Sequence, residues 1–165
     1  EKNTHGLQAA ECNFEPTPLG KLLFPPGAEP IRALQYHHGD VVSRLPTSAA
    51  NLGCSATNPA HMAAYFSSAI VARTAVTRGS LSGGAPHAFS FQAHPEFCTP
   101  SGERLLEALL RADSESRGER WLAERVATIG SPASREATAQ LTAGCVRMLW
   151  PGAIGDAVGG DVGSG

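Results

Sequence analysis

No apolar run in this chain approaches the length needed to cross a bilayer, and no charge of one sign dominates it. The first absence excludes a membrane-spanning helix, and no signal peptide is visible. The second follows from 13 Lys+Arg set against 15 Asp+Glu, a formal net charge of -2. That balance excludes the basic footprint of a nucleic-acid binder or of a protein drawn to an anionic membrane. Cysteine is scarce too: four in 165 residues, with neither a C-x-x-C pair nor a framework spacing. This excludes a disulfide scaffold and points to a reducing, cytoplasmic setting. What remains is one domain at most, whose 42% hydrophobic content is enough for a core.

Along the chain, residues 1–30 are punctuated by Pro16, Pro18, Pro25, Pro26 and Pro30, which predicts loops with short strands. Ile31–Tyr36 reads as a strand leading into a His-Gly-Asp turn, and Ala50–Phe66 as two strands separated by Asn58-Pro59. Ser67–Pro86 is rich in Gly, Ser and Thr, which predicts a solvent-facing insertion in which Ile70-Val71-Ala72 prolongs the preceding strand. Beyond Pro100 the pattern turns helical. Ser101 caps a helix over Arg104–Asp113 carrying Leu105, Leu106, Leu109 and Leu110. Glu115–Ile129 aligns Leu122, Val126 and Ile129, and Ser134–Leu149 aligns Ala137, Leu141, Cys145 and Met148. Residues 152–165 hold too little apolar surface to order themselves.

The chemistry concentrates in Phe91-Gln92-Ala93-His94-Pro95-Glu96-Phe97. An alternating run from Ala88 to Phe91 reads as a strand, and residues two apart in an extended segment share a side, so His94 and Glu96 are expected to emerge together. An imidazole backed by a carboxylate is a base held in one tautomer, as a thiol or hydroxyl nucleophile requires. The bland alternative is a strand-end histidine bonded to a neighbour. His37, His38 and Asp40 beside His94, Glu96 and Cys98 raise a metal reading, but adjacent histidines on a strand point to opposite faces, and no knuckle accompanies them. A zinc deaminase also begins H-x-E, yet needs a downstream P-C-x-x-C that this chain lacks. No metal or cofactor is therefore expected. Gly39 permits a tight turn in which Asp40 bonds the next amides, so His38-Gly39-Asp40 reads as structural. His5, His61 and His87 read as surface residues, and Cys12, Cys54 and Cys145 as small apolar ones.

The segment around His94 resembles the Q-x-H-P-E motif of class I glutamine amidotransferases, and His38-Gly39-Asp40-Val41-Val42-Ser43-Arg44-Leu45-Pro46 resembles the family's H-x-D-x-V-x-x-L-P segment, in the same order. Pro16–Phe24 is similar to the turn and short strand that follow the family's nucleophile helix. The resemblance implies a flavodoxin-like, three-layer α/β fold, mostly parallel, with an antiparallel edge built from Met62–Phe66 and Ala88–Gln92. It also implies a Cys-His-Glu triad in which His94 is the base and Glu96 its orienting partner. The substrate would be glutamine or another γ-glutamyl compound, opened through a thioester.

The family's nucleophile sits in a glycine-rich G-x-C-x-G elbow, where a side chain would block the strained turn. None of the four cysteines has both glycines, and Cys98, though nearest His94, follows the base in sequence. The resemblance therefore covers the C-terminal half of such a domain, over residues 1–112, incomplete at its N-terminal side. Residues 113–150 are a helical extension and 151–165 a disordered tail. The expected function is amide hydrolysis by a parent protein whose nucleophilic cysteine lies outside this chain. The alternatives are a catalytically dead module kept for binding or regulation, and a metal-dependent hydrolase on another fold. An isolated half-domain would expose a sheet edge and apolar surface, so poor solubility or a molten state is expected of it.

Overall fold

The computed structural model describes residues 8–24, 32–37, 42, 44–55, 58–115, 117–127 and 129–150. Within them run strands β1 (Gln8–Asn13), β2 (Glu15–Pro16), β3 (Arg32–His37), β4 (Ala49–Cys54), β5 (Met62–Tyr65) and β6 (Ala88–Phe91). Four helices accompany them: α1 (Ala69–Arg78), α2 (Pro100–Ser114), α3 (Glu119–Val126) and α4 (Pro132–Leu149). Short 3-10 turns occupy Gly20–Leu23 and Pro95–Cys98. Among the described residues no helix is long and apolar enough to cross a membrane. His5, Asp40, most of the H-x-D-x-V segment and residues 151–165 lie outside the described residues.

The result is a mixed α/β chain with a four-stranded antiparallel sheet. Its order is β2-β4-β5-β6, and β1 and β3 form a separate antiparallel pair. β4 and β5 are joined by a connection too short for the crossover that parallel strands require. β6 returns beside β5 with Met62 opposite Phe91 and Tyr65 opposite Ala88, which is the antiparallel pair expected of these segments. Every described pairing is antiparallel, so the mostly parallel sheet that the resemblance implied is not what these strands form.

Between β5 and β6 the expectation of a loop with a strand extension is overturned. Ser68 adopts an extended backbone and its hydroxyl accepts the Val71 amide at 3.3 Å, capping α1, and Gly79 ends the helix at φ 57°. A left-handed residue at that position favours glycine, and its amide closes onto Ala75 and Val76. β-Branched Ile70, Val71, Thr74 and Val76 disguised the helix as strand and loop. Alanine at position 68 removes the cap acceptor and is expected to cost about 1 kcal/mol of stability. A thermal or urea midpoint identical to that of the parent chain would show the cap to be inert.

The C-terminal helices agree better with their patterns. α2 begins before the expected Arg104, because Thr99 accepts the Gly102 amide through its hydroxyl (3.1 Å) and the Glu103 amide through its carbonyl (2.8 Å). α4 starts with Pro132 in its first turn and a Ser131 hydroxyl accepting from the Ser134 amide. The four residues aligned in advance on α4, Ala137, Leu141, Cys145 and Met148, are all buried.

These burials build two apolar clusters. The larger gathers Phe14, Leu19, Leu23, Leu52, Met62 and Phe66 with Ala72 and Ala75 of α1 and the buried face of α4. Residues 113–150 are thus not peripheral throughout, since α4 fills the same core as the sheet. The Thr17 amide and hydroxyl donate to the Leu52 and Asn51 carbonyls, both at 2.9 Å, and so fasten the first 3-10 turn to β4. The smaller cluster joins Phe97 to Leu106 and Leu110 of α2, with Leu109, Trp121, Leu122 and Ile129 against it.

Candidate active site

His94 follows the end of β6, the edge strand of the four-stranded sheet among the described residues. β6 ends at Phe91, and the Gln92 amide donates to the His61 carbonyl at 2.9 Å, completing the register with the residue before β5. The chain then bends and enters the 3-10 turn at Pro95. An extended pair with His94 and Glu96 on one side, as alternation predicts, is therefore not formed by the backbone. A 3-10 turn has about three residues per turn, so the two-residue alternation of a strand does not run on through Pro95. β6 has already ended at Phe91, and Pro95, whose ring fixes φ near the helical value, opens the 3-10 turn instead of resuming the strand. The Glu96 side chain lies outside the described parts of the structure.

The imidazole itself is half-buried. Its plane lies against the Phe97 ring with centroids 5.0 Å apart and 29° between planes, and the Phe97 amide donates to the His94 carbonyl at 3.0 Å. Phe97 is 9% exposed and belongs to the smaller apolar cluster. One residue on, the Cys98 thiol accepts from the Thr138 hydroxyl at 3.0 Å and reaches the Ser134 carbonyl at 3.8 Å. The turn that carries His94 is thus held from two sides, by α2 and α3 through Phe97 and by α4 through Cys98. Sequence reasoning missed Phe97, whose signal was its place directly after the H-P-E triplet.

Of the other histidines, His87 is exposed as expected, and His61 is not on the surface. It is 3% exposed and meets Phe14 edge-on at 6.1 Å, and its amide donates to the Gly53 carbonyl at 2.9 Å. Asn58 in the same connection is also buried, its side-chain oxygen accepting the Ala60 amide at 3.1 Å.

The described thiols, those of Cys54, Cys98 and Cys145, are free. None occupies a strand-to-helix elbow. Cys54 ends β4, with its sulfur 3.9 Å from the Glu15 carbonyl, and Cys145 lies inside α4. Burial pushes the Cys145 thiol up to about 11, with Arg147 pulling weakly the other way. It stays protonated at neutral pH, and a protonated buried thiol is a poor nucleophile. Alkylation with a maleimide or iodoacetamide near pH 8 is expected to modify the partly exposed Cys54 and Cys98 first and Cys145 only on unfolding. Peptide mapping checks this, and early labelling of Cys145 would contradict its burial. The same raised pKa means that the unfolded chain ionises first, so this group's stabilising contribution is complete below about pH 9 and is lost towards pH 11.

Among the described residues no three His, Cys, Asp or Glu side chains gather as a metal site would require. Searches against family models, curated proteins and solved structures return no match for this chain.

Proposed function

We propose that this chain carries the base half of a class I glutamine amidotransferase-like site, whose nucleophile is not among its own described cysteines. The observation that carries the reading is His94 at the end of an antiparallel edge strand, within a Q-x-H-P-E segment, its ring part-open to solvent and backed by Phe97. The ordered upstream segment His38–Pro46 supports it.

In this reading His94 accepts the proton of a cysteine thiol supplied from outside the chain, and Glu96 orients the imidazole and balances its charge. The thiolate adds to the γ-amide carbonyl of glutamine or a related γ-glutamyl compound. The C–N bond then breaks as His94 returns the proton to the leaving nitrogen. Water activated by the same base cleaves the thioester, releasing the γ-carboxylate and the free thiol. Each proton taken by His94 is given back within the cycle, so no cofactor is consumed.

A second reading is a binding or regulatory module without catalysis. It is favoured by the described thiols, none of which is set in an elbow. The coding sequence upstream of Glu1 separates the two readings. A strand followed by G-x-C-x-G supports the triad enzyme, and an elbow lacking its cysteine supports the binding module.

A further inference from the structure

We infer that Phe97 is a positioning residue for His94, and that the α2–α3 apolar cluster, remote from the reacting atoms, sets the orientation of the imidazole. The inference rests on the proposed role of His94 for its catalytic meaning, but not for its geometry. A base must present one nitrogen to its nucleophile within about 3 Å, and a half-buried ring on a turn has rotational freedom unless something removes it. Here the ring is stacked on Phe97, with 5.0 Å between centroids and a 29° interplanar angle. Stacking of this kind fixes the plane of the ring through one face.

Phe97 is in turn fixed. It is 9% exposed and packs with Leu106 and Leu110, both fully buried on α2, while Leu122 and Ile129 close the cluster from the α3 side. A tightly packed aromatic ring cannot reorient without disturbing its neighbours, so its plane is defined by the cluster. Its backbone is tied as well, through the Phe97 amide bonded to the His94 carbonyl and the adjacent Cys98 thiol bonded by Thr138 of α4. α3 has no buried residue of its own, and its Trp121 and Leu122 pack only part-buried against this cluster. A role in setting Phe97, and through it His94, accounts for that packing.

The test is nuclear magnetic resonance of the full chain, with the imidazole carbon-bound protons of His94 assigned by comparison with His94→Gln. Stacking on Phe97 is expected to shift these protons upfield of their values in an unstructured peptide. Phe97→Ala is expected to return them to those values, and Phe97→Tyr to preserve the shift. Ile129→Ala, which keeps both rings but loosens the cluster behind Phe97, is expected to reduce the shift partially. Methyl resonances of the larger core, unchanged in all variants, certify that the fold persists. His94 protons that are unshifted in the parent chain, or unmoved by Phe97→Ala, would overturn the inference. A shift restored by Phe97→Tyr but insensitive to Ile129→Ala would overturn the role of the cluster. None of these readings depends on catalysis. An inactive complete protein that still shows the stacking shift would refute the amidotransferase reading and leave the positioning intact.

Discussion

On the proposed amidotransferase reading, replacing His94 with alanine is expected to lower the turnover of γ-glutamyl amide hydrolysis about 10²- to 10⁴-fold, the range a positioned general base supplies. This corresponds to roughly 3–5 kcal/mol of transition-state stabilisation at 1.36 kcal/mol per tenfold. The loss is expected to fall on kcat more than on KM, since in that reading His94 acts on the proton of the nucleophile rather than on bound substrate. Stability changes little by comparison. The ring is half-buried and its Phe97 stack contributes about 1 kcal/mol, so inactivation by unfolding is separable by a melting curve. Glu96→Gln is expected to lower kcat in the same direction, since an orienting group that loses its charge stabilises the imidazolium less. Wild-type turnover in His94→Ala would mean that the base lies elsewhere.

The second large effect concerns the fold. Gly144 lies on the buried face of α4, where a Cβ would fall on the Leu23 carbonyl and its neighbouring backbone atoms. Alanine in mid-helix ordinarily gains up to about 1 kcal/mol over glycine. Here the gain is outweighed, because the obstacle is backbone and cannot swing aside. The same carbonyl accepts the Arg147 guanidinium at 2.8 Å, a bond that a displaced helix loses. Overpacking of about 1–3 kcal/mol and a charged hydrogen bond of about 1.5–3 kcal/mol, less the propensity gain of about 1 kcal/mol, leave Gly144→Ala roughly 1.5–5 kcal/mol less stable. Urea unfolding followed by circular dichroism measures it. A stabilised Gly144→Ala would mean that α4 does not sit on the first 3-10 turn.

Much of the local structure was legible in the residues. The spacing of Ala137, Leu141, Cys145 and Met148 identified the buried face of α4, and the alternation from Ala88 to Phe91 identified β6. Those signals are periodic and lie within one element, so they survive without knowledge of neighbours. α1 was hidden because its β-branched residues favour strands in isolation, and only the Ser68 cap and the Gly79 stop reveal the helix. His61 was read as a surface residue because nothing local distinguishes an exposed loop histidine from one buried against Phe14. The sheet direction was taken from a resemblance rather than from connection lengths, and the short β4–β5 link decides it differently. At the candidate site, the residue types were visible and the turn was not. Pro95 was visible as a break from the strand, but the 3-10 turn it opens, with Phe97 packed on α2 and Cys98 bonded from α4, was not.

The central claim is that His94 serves a cysteine nucleophile that this sequence does not contain. The most direct measurement treats the complete protein with a glutamine analogue bearing an electrophile at the γ position, then identifies the modified residue by peptide mass mapping. The expected result is one labelled cysteine in a glycine-flanked elbow outside these 165 residues, with labelling suppressed in His94→Ala. Absence of label, or label on Cys98 instead, would contradict the account.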